Sequence, residues 1–332
     1  MLEKKNILLL CGGGSTEHDI SLVSVKYLKE CLDSIADFHT TLVVIEKNGD
    51  WVDENNNKRL LDAKRQLRFS DDSSKSSTPV DIAIPCIHGY PGETGDLQSY
   101  FEMINLPYLG CNSETSKMCF NKITTKLWAT ALGVKNTPYV FVSDLSSESQ
   151  EKVLAFFKHH GEIVIKASNQ GSSVGCYMAI KEEEVMPTLK KAFEYSPFVL
   201  VEKKLVPREL EVSLYEFDGK IQLSYPGEIN CPSKFYSFEE KYSGKSQTTT
   251  EIKAPGLTDS QVATIHDYCL RLQSGLKLRH LSRIDFFLEN GEIYLNEINT
   301  FPGMTPISMF PKMMEANGHS FKSFIIQNIS KL

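Results

Sequence analysis

A predicted β-hairpin near the carboxyl end of the chain constrains the fold more than any other segment. Two runs of strand-forming residues, Leu281–Leu288 and Glu292–Ile298, flank Asn290 and Gly291. An Asn-Gly pair between two such runs is a strong signal for an antiparallel hairpin. Side chains on a strand alternate between its two faces, so residues two apart share a face. The register of this hairpin therefore decides which of its polar residues can meet.

Four polar residues of the hairpin form two pairs, each on one strand face. Arg283 and Asp285 share a face of the first strand, and Glu297 and Asn299 share a face of the second. A two-residue turn would set Asp285 opposite Asn296 and direct Glu297 to the other side. A three-residue loop would set Arg283 opposite Glu297, with Asp285 diagonal to Glu297. Only the three-residue loop brings all four side chains together.

Convergence of these side chains would create a metal site. We therefore predict an odd-length connection, with Gly291 at positive φ. Asp, Glu and Asn supply the oxygen ligands that suit Mg²⁺, which is usually held by one or two carboxylates and substrate phosphates. The alternative is a polar strand face in contact with solvent. Phe287, Ile293 and Leu295 are expected on the same face, and such a mixture favours a nucleotide, which has an apolar base beside its phosphates.

The length and charge of the whole chain limit its architecture and its partners. With 332 residues the chain exceeds what one core usually supports, so two or three domains are expected. A net charge of −6 disfavours nucleic acid and anionic membranes as partners. No apolar run approaches the ~20 residues of a membrane span. The short run Ile7–Cys11 predicts a first strand rather than a signal peptide, and the cysteines lack any C-x-x-C pair. These features favour a cytoplasmic globular enzyme with reduced thiols.

A glycine-rich turn near the amino terminus contains a candidate amine ligand. The predicted strand Asn6–Cys11 leads through this turn into a predicted helix, Ile20–Leu32. The order resembles a dinucleotide-binding motif, but Glu17 occupies the position of the third glycine. A carboxylate would repel a pyrophosphate and attract an ammonium group. The alternative is an acid that satisfies the helix dipole, and on this evidence alone it is the simpler explanation.

A second glycine-rich loop follows the predicted strand Val80–Cys86. It begins at His88 and leads into a helix that starts near Asp96. A loop at the carboxyl end of a parallel strand is the usual ligand side of an open α/β sheet. His88 is either a ligand contact or a structural histidine. Residues 1–112 are thus predicted to form a small α/β domain. Beyond it, Asn121 and Lys122 begin a predicted helix that runs to Ala131.

Three segments further along the chain are candidates for nucleotide binding. The strand Ile163–Lys166 leads into Ala167–Gly175, which is either a flap over a polyphosphate or a plain hairpin loop. Glu202–Leu205 ends another strand and could offer backbone groups to adenine. Asn230–Pro255 is long and polar, and its aromatic part, Phe235–Tyr242, predicts an ordered lid.

Taken in chain order, these segments resemble bacterial D-alanine–D-alanine ligases from about residue 6 to residue 317. The motifs that carry the resemblance are Glu17-His18-Asp19-Ile20-Ser21, His88-Gly89, Lys166 with Gly171–Gly175, Glu202-Lys203, Arg208-Glu209, Phe235–Tyr242, Arg283-Ile284-Asp285, Asn296–Thr300 and Pro302–Thr305. The resemblance implies an α/β (α+β overall) chain with the ATP-grasp fold. It implies a parallel α/β domain (1–112), a central subdomain (113–205) and an antiparallel-sheet subdomain (206–332) with a lid loop (230–255).

The resemblance also implies a role for individual residues. The implied ATP contacts are Lys122, Lys166, Ser172, Ser173, Glu202, Lys203, Leu205, Glu209, Lys241 and Phe287. The implied ligands of two Mg²⁺ ions, for which Mn²⁺ could substitute, are Asp285, Glu297 and Asn299, with Glu297 bridging. The implied catalytic residues are Glu17, Ser172, Arg283, Gly303 and Ser308. The implied substrate-binding residues are Glu17, His88, Tyr242, Arg283, Gly303, Ser308 and Met309. Among these, Glu17 resembles the acid that holds the ammonium of the first D-alanine, and Arg283 and the Gly303 N–H resemble the oxyanion donors.

The implied activity is the ATP-dependent joining of two D-alanines for peptidoglycan precursor synthesis, in a protein expected to be a homodimer. A ligase that takes D-serine or D-lactate second is the nearest alternative, and Tyr242 disfavours it. A glutathione-synthase-like ligase is disfavoured by Glu17 and by the His88 loop. A nucleotide-binding scaffold without turnover is disfavoured because Arg283, Asp285, Glu297 and Asn299 are all present.

Overall fold

The computed structural model describes residues 4–72, 74–230 and 248–332. Within these ranges the chain forms three β-sheets with helices packed on them. The strands are β1 (Lys5–Gly12), β2 (Phe38–Ile45), β3 (Trp51–Asp53), β4 (Lys58–Leu61), β5 (Gln66–Phe69), β6 (Thr78–Pro79), β7 (Ile82–Pro85), β8 (Tyr139–Val142), β9 (Ile163–Ala167), β10 (Cys176–Ala179), β11 (Val199–Lys203), β12 (Arg208–Phe217), β13 (Lys220–Leu223), β14 (Gly227–Asn230), β15 (Thr249–Glu251), β16 (Leu281–Glu289) and β17 (Glu292–Asn299). The helices are α1 (His18–Asp33), α2 (Asp96–Met103), α3 (Ser113–Phe120), α4 (Lys122–Ala131), α5 (Ser147–His160), α6 (Glu182–Phe193), α7 (Asp259–Leu276), α8 (Met309–Ala316) and α9 (Phe321–Lys331). No helix in the described part of the chain has both the length and the apolar character needed to cross a membrane.

The first sheet has the strand order β6-β5-β4-β3-β2-β1-β7. The central strand β1 runs parallel to both β2 and β7, as expected for the amino-terminal α/β region. Strands β3 to β6 extend the sheet as antiparallel pairs, which the sequence reading did not predict. They are short, and β4 buries only alternate residues, so their apolar signal is weak.

The other two sheets are antiparallel. The second sheet has the order β10-β9-β11-β8, and α5 and α6 pack against it around a core that includes Val153, Leu189 and Val201. The third sheet has the order β15-β14-β12-β16-β17, with β13 also paired to β12. Strand β15 lies inside the segment predicted to be a lid, whereas the aromatic part of that segment, Phe235–Tyr242, lies outside the described residues.

The last two helices join the first sheet to the third. Phe310 of α8 and Phe324 of α9 belong to one buried cluster with Leu9 of β1 and Tyr215 of β12. The Tyr215 and Phe324 rings meet edge to face, with centroids 6.2 Å apart. Burying aromatic rings in this way removes much apolar surface from water. This packing brings the start of α1 close to the third sheet.

Helix starts agree with the sequence signals where a capping residue is present. The Asn121 side chain accepts hydrogen bonds from the backbone N–H groups of Ile123 and Thr124, at 3.0 and 3.1 Å, so α4 begins where predicted. Helices α3 and α6 were not predicted. Helix α3 is only eight residues long and directly precedes Asn121, and α6 contains Pro187, which reads as a helix breaker.

Candidate active site

A cavity of about 740 Å³ lies where parts of all three sheets meet. Its walls include the start of α1, the loop after β7, the β9–β10 loop, the end of β11 and the paired strands β12, β16 and β17. The predicted site residues that line it are Glu17, His88, Lys122, Lys166, Ser172, Ser173, Glu202, Lys203, Leu205, Glu209, Arg283, Asp285, Phe287, Glu297, Asn299, Gly303, Ser308 and Met309. Lys241 and Tyr242 lie outside the described residues. Residues far apart in sequence thus face one space.

The turn between β16 and β17 has two residues, so the prediction of an odd-length connection was wrong. Glu289 pairs with Glu292, and the turn consists of Asn290 and Gly291 with φ values of 53° and 83°. Positive φ at both central residues is the conformation that an Asn-Gly hairpin favours. The predicted positive φ of Gly291 is confirmed.

A β-bulge, which was not predicted, restores the convergence that a two-residue turn would prevent. Phe286 pairs with Leu295, but the next residue, Asp285, pairs with Glu297, so Asn296 is an extra residue in β17. Asp285 therefore lies directly opposite Glu297 rather than diagonal to it. Arg283 lies opposite Asn299, not opposite Glu297 as predicted. All four side chains still line one cavity.

The same bulge changes the face of two apolar residues. Ile293 and Leu295 were expected beside the charged residues, but they are 5% and 0% exposed in the core between the third sheet and α7. Between the turn and the bulge, the side chains of β17 alternate between the two faces of the sheet. Ile293 and Leu295 therefore lie on the face opposite to that of Tyr294. Phe287 alone of the three predicted apolar residues lines the cavity.

Ion pairs organise the polar face of this hairpin. Arg283 donates from Nε and Nη2 to the two carboxylate oxygens of Asp285, at 2.8 and 2.7 Å, and its Nε lies 3.3 Å from Glu211 Oε1. Asn299 Nδ2 donates to Asp285 Oδ2 at 3.0 Å. Burial lowers the pKa of Arg283, but Asp285 and Glu211 outweigh burial and raise it well above its ordinary value. Arg283 is thus a fixed cation within the cavity wall.

The residues present fit a divalent cation that prefers oxygen ligands. Asp285 and Glu297 are direct cross-strand neighbours, and Asn299 contacts Asp285. Within the described ranges there is no group of three or more His, Cys, Asp or Glu residues able to hold a metal. The candidate set therefore has two carboxylates and one amide, which suits Mg²⁺ when substrate phosphates complete the coordination.

Glu17 is directed at the β9–β10 loop and does not cap its own helix. It is the N-cap residue of α1, yet its side chain makes no capping hydrogen bond. Its carboxylate accepts a hydrogen bond from the Ser172 hydroxyl instead. A Cβ atom on Gly171 would lie 2.4 Å from Glu17 Oε2, so this approach requires glycine. Glu17 thus lies at the start of α1, lines the cavity and contacts the β9–β10 loop.

The β9–β10 loop connects two antiparallel strands, and its residues line the cavity. Strands β9 and β10 are antiparallel, with Lys166 opposite Cys176. Ser172 and Ser173 have φ values of 47° and 62°, an uncommon conformation for residues other than glycine. Lys122 Nζ donates to the backbone oxygen of Gln170 at 2.6 Å and lies 3.7 Å from Glu297 Oε2. One lysine thus connects this loop to the hairpin of β16 and β17.

His88 is buried, and its ring has a hydrogen-bond partner. Its Nε2 lies 2.8 Å from Ser24 Oγ, and its backbone N–H donates to Ser21 Oγ at 3.0 Å. Burial lowers the pKa of His88, although the negative charge of Glu17 acts in the opposite direction. His88 thus has hydrogen-bond partners within the protein and also lines the cavity.

Glu93 is a buried acid that the sequence reading missed. Its Oε2 accepts a hydrogen bond from the Gly89 N–H at 3.0 Å, and its Oε1 accepts one from the Phe301 N–H at 3.3 Å. It therefore connects the loop after β7 to the segment after β17. Burial, and then the charge of Glu17, raise the pKa of Glu93 to about 8. Its position inside the glycine-rich loop was the signal available in the sequence.

Lys126 is a second missed residue, and it belongs to a buried triad. Glu202 accepts from Lys126 Nζ at 2.5 Å through Oε1 and from Lys166 Nζ at 2.6 Å through Oε2. Burial raises the pKa of the Glu202 carboxyl, but Lys126 and Lys166 outweigh burial and lower it to about 2. Glu202 is therefore ionised, and its side chain is engaged by two lysines. The four-residue spacing of Lys126 from Lys122 on one helix was the available signal.

The segment after β17 folds back so that Ser308 lies over Gly303. A Cβ atom on Gly303 would lie 2.9 Å from Ser308 Oγ. Ser308 Oγ accepts from the Thr305 N–H at 3.1 Å and lies 2.7 Å from Thr305 Oγ1. Ser308 and Met309 begin α8, and a helix start presents N–H groups that suit a carboxylate.

Comparison with known proteins finds similar sequences and structures over nearly the whole chain. Residues 6–111 match the family model described as D-ala D-ala ligase N-terminus, and residues 127–330 match D-ala D-ala ligase C-terminus. A D-alanine–D-alanine ligase of Shewanella amazonensis is 52% identical over 330 residues, which cover 99% of this chain and 98% of that protein. The crystal structure of D-alanyl-alanine synthetase A from Vibrio cholerae is 49% identical, covers 100% of this chain and 99% of that chain, and has a TM-score of 0.94.

A more distant solved structure shares the fold alone. The VanG D-Ala:D-Ser ligase of Enterococcus faecalis is 24% identical, covers 99% of each chain and has a TM-score of 0.86. The fold therefore does not by itself distinguish between second substrates.

The raised pKa of Glu93 predicts a pH dependence of stability. Between the ordinary pKa of 4.5 and the folded value of about 8, the folded protein retains a proton on Glu93 that the unfolded chain has released. Stability attributable to Glu93 therefore falls as pH rises through this window. Urea unfolding at about pH 5.5 and about pH 8 should show a larger loss of stability for the wild type than for Glu93→Gln. Equal losses in the two proteins would show that Glu93 does not hold this proton.

Proposed function

The chain belongs to the D-alanine–D-alanine ligase family, and we propose that it joins two D-alanine molecules to D-alanyl-D-alanine while converting ATP to ADP and phosphate. One observation carries the proposal: every predicted site residue in the described part of the chain lines the same cavity. The family has the ATP-grasp fold, in which ATP lies between the central and carboxy-terminal sheets. We place ATP in this cavity between β11 and the β16–β17 hairpin.

The first step would activate a carboxylate. A carboxylate is a poor electrophile, so the first D-alanine takes the γ-phosphoryl group of ATP and becomes an acyl phosphate. Lys122 and Lys166 line the cavity and would neutralise charge on the phosphoryl oxygens, which is most of what phosphoryl transfer requires of a protein. Backbone groups of Lys203 to Leu205 would contact adenine, and Glu209, Ser173 and Phe287 would complete the nucleotide pocket.

Asp285, Glu297 and Asn299 would hold two Mg²⁺ ions, with Glu297 bridging them and Mn²⁺ able to substitute. When bound, a divalent metal neutralises the phosphate oxygens and orients them for in-line transfer. Arg283 donates hydrogen bonds to both carboxylate oxygens of Asp285 and would orient this proposed ligand.

The second step would form the peptide bond. The free amine of the second D-alanine attacks the acyl carbon, the amine loses a proton, and phosphate leaves. Arg283 and the Gly303 N–H would stabilise the oxyanion, and such donors are each worth roughly 3–4 kcal/mol in comparable sites. Glu17 and Ser172 would hold the ammonium of the first D-alanine, beside His88. The start of α8, with Ser308 and Met309, would accept the carboxylate of the second.

The remaining proposals concern organisation and setting. We propose that the three sheets correspond to the divisions 1–112, 113–205 and 206–332. Lys241 and Tyr242, the proposed ATP and substrate contacts of segment 230–255, lie outside the described residues. An acyl phosphate is lost if water reaches it, so the cavity would have to exclude water during the reaction. The product suits peptidoglycan precursor synthesis in the cytoplasm, and we propose a homodimer.

A phosphate-release assay tests the substrate assignment. ATP turnover should require D-alanine, and D-alanine should support it far better than D-serine, D-lactate or L-amino acids. Product analysis should find D-alanyl-D-alanine. A clear preference for D-serine or D-lactate in the second position would replace the proposal with the alternative ligase, and an absence of turnover with every amino acid would overturn it.

Glu297→Gln tests the metal assignment. The change removes a charge from the proposed bridging ligand without changing its volume, so turnover should fall by about 100-fold or more while the fold is retained. Glu292→Gln is the matched control, because Glu292 lies on the same strand, is exposed and pairs with Lys135. Retention of most activity by the Glu297 variant at saturating Mg²⁺ would contradict the assignment.

Glu17→Gln tests the amine site. Only the ammonium of the first D-alanine loses a charged partner, so D-alanine binding should weaken by about 10- to 100-fold and ATP binding far less. Glu30→Gln is the control, since Glu30 is an exposed acid on the same helix that does not line the cavity. An equal loss of ATP and D-alanine affinity would instead point to a structural role at the helix start.

A further inference from the structure

We propose that Lys126 is a positioning residue that holds Glu202 so that Lys166 is directed at the phosphates of the nucleotide. This inference rests on the proposed function only in naming the ligand as an adenine nucleotide. Lys166 and Glu202 line the cavity, whereas Lys126 lies behind them with 1% of its surface exposed. Lys126 therefore acts through Glu202 rather than by touching the ligand.

The triad is built from three separate elements. Lys126 comes from α4, Glu202 from β11 and Lys166 from β9. Each oxygen of the Glu202 carboxylate accepts from a different lysine, at 2.5 and 2.6 Å. Lys126 Nζ also lies 3.5 Å from the backbone oxygen of Thr137 and 5.3 Å from the centre of the Tyr139 ring. The carboxylate is thus fixed from both sides and cannot rotate without breaking one pair.

The charges of the triad explain why a second lysine is needed. One carboxylate and one lysine would form a neutral pair, and Glu202 would then compensate the charge that Lys166 presents to the cavity. Burial lowers the pKa of Lys126, and the contact with Glu202 acts in the opposite direction. With a protonated Lys126 on the other oxygen, the triad carries a net positive charge. Lys166 has 15% of its side chain exposed, against 1% for Lys126, so the surplus positive charge faces the cavity. A polyphosphate is the ligand class that such a charge attracts.

Removal of Lys126 should therefore weaken nucleotide binding without any lost contact to the nucleotide. Glu202 Oε1 would lose its cation, and the carboxylate could turn both oxygens toward Lys166. A buried charge that loses one partner is costly, and the surrounding groups rearrange to compensate it. Lys166 would then be held back from the phosphates.

The experiment measures ADP affinity by calorimetry, with and without the Lys126→Met change. Methionine is close to lysine in length but has no charge. We expect about a 10-fold weaker ADP affinity in Lys126→Met, with the KM for D-alanine changed by less than about twofold. Lys126→Arg, which restores the charge, should recover most of the ADP affinity. Unchanged ADP affinity in Lys126→Met would overturn the inference.

Two further variants separate positioning from stability. Arg59→Met breaks another buried ion pair, with Asp53 at 3.1 Å in the first sheet, and should lower stability without altering ADP affinity. In a Glu202→Gln background, adding Lys126→Met should have no further effect on ADP affinity, because Lys126 acts through Glu202. The comparison of Glu202→Gln with the double variant remains decisive if Lys126→Met alone fails to fold. A further loss of affinity in that background would contradict the proposed route.

ADP binding does not depend on the identity of the amino-acid substrate. If the wild type binds ADP but does not join D-alanines, the proposed function fails and the inference about Lys126 is still tested. If the wild type joins D-alanines and Lys126→Met binds ADP normally, the inference fails alone.

Discussion

The single extra residue Asn296 in β17 determines the arrangement of the candidate active site. The Asn290-Gly291 turn fixes a register that would direct Glu297 away from Asp285, and the bulge shifts that register by one residue. On one side of the bulge, alternate residues fill the core under the third sheet. On the other side, the charged residues face the cavity. A regular hairpin with this sequence could not satisfy both requirements, because a one-residue slip turns every side chain to the opposite face.

Around this hairpin, buried ion pairs hold the cavity wall in place. Arg283 is fixed by Asp285 and Glu211, and Lys166 is fixed by Glu202. Such pairs contribute little net stability, because desolvation offsets most of their attraction. Their value for function is orientation, since charges that are already placed need no reorganisation when a reaction begins. The Glu17–Ser172 hydrogen bond serves the same purpose between the first sheet and the β9–β10 loop.

The sequence was sufficient for features that depend on local signals. The hairpin strands, the start of α4 at Asn121 and the glycine-rich loops follow from turn, capping and alternation patterns. The bulge was missed because nothing in the residue type of Asn296 distinguishes it from a regular strand position. Lys126 and Glu93 were missed because their partners, Glu202 and Phe301, are distant in sequence and reach them only after folding. The resemblance to a known family supplied the residue roles, but it did not supply the register.

Binding of Mn²⁺, followed by electron paramagnetic resonance in the presence of a non-hydrolysable ATP analogue, tests most directly whether Asp285 and Glu297 form one metal site. If they do, Asp285→Asn and Glu297→Gln should each weaken Mn²⁺ binding by about 10-fold or more, whereas Glu292→Gln, on the same strand as Glu297, should leave it unchanged. Wild-type Mn²⁺ affinity in either the Asp285 or the Glu297 variant would contradict a shared site.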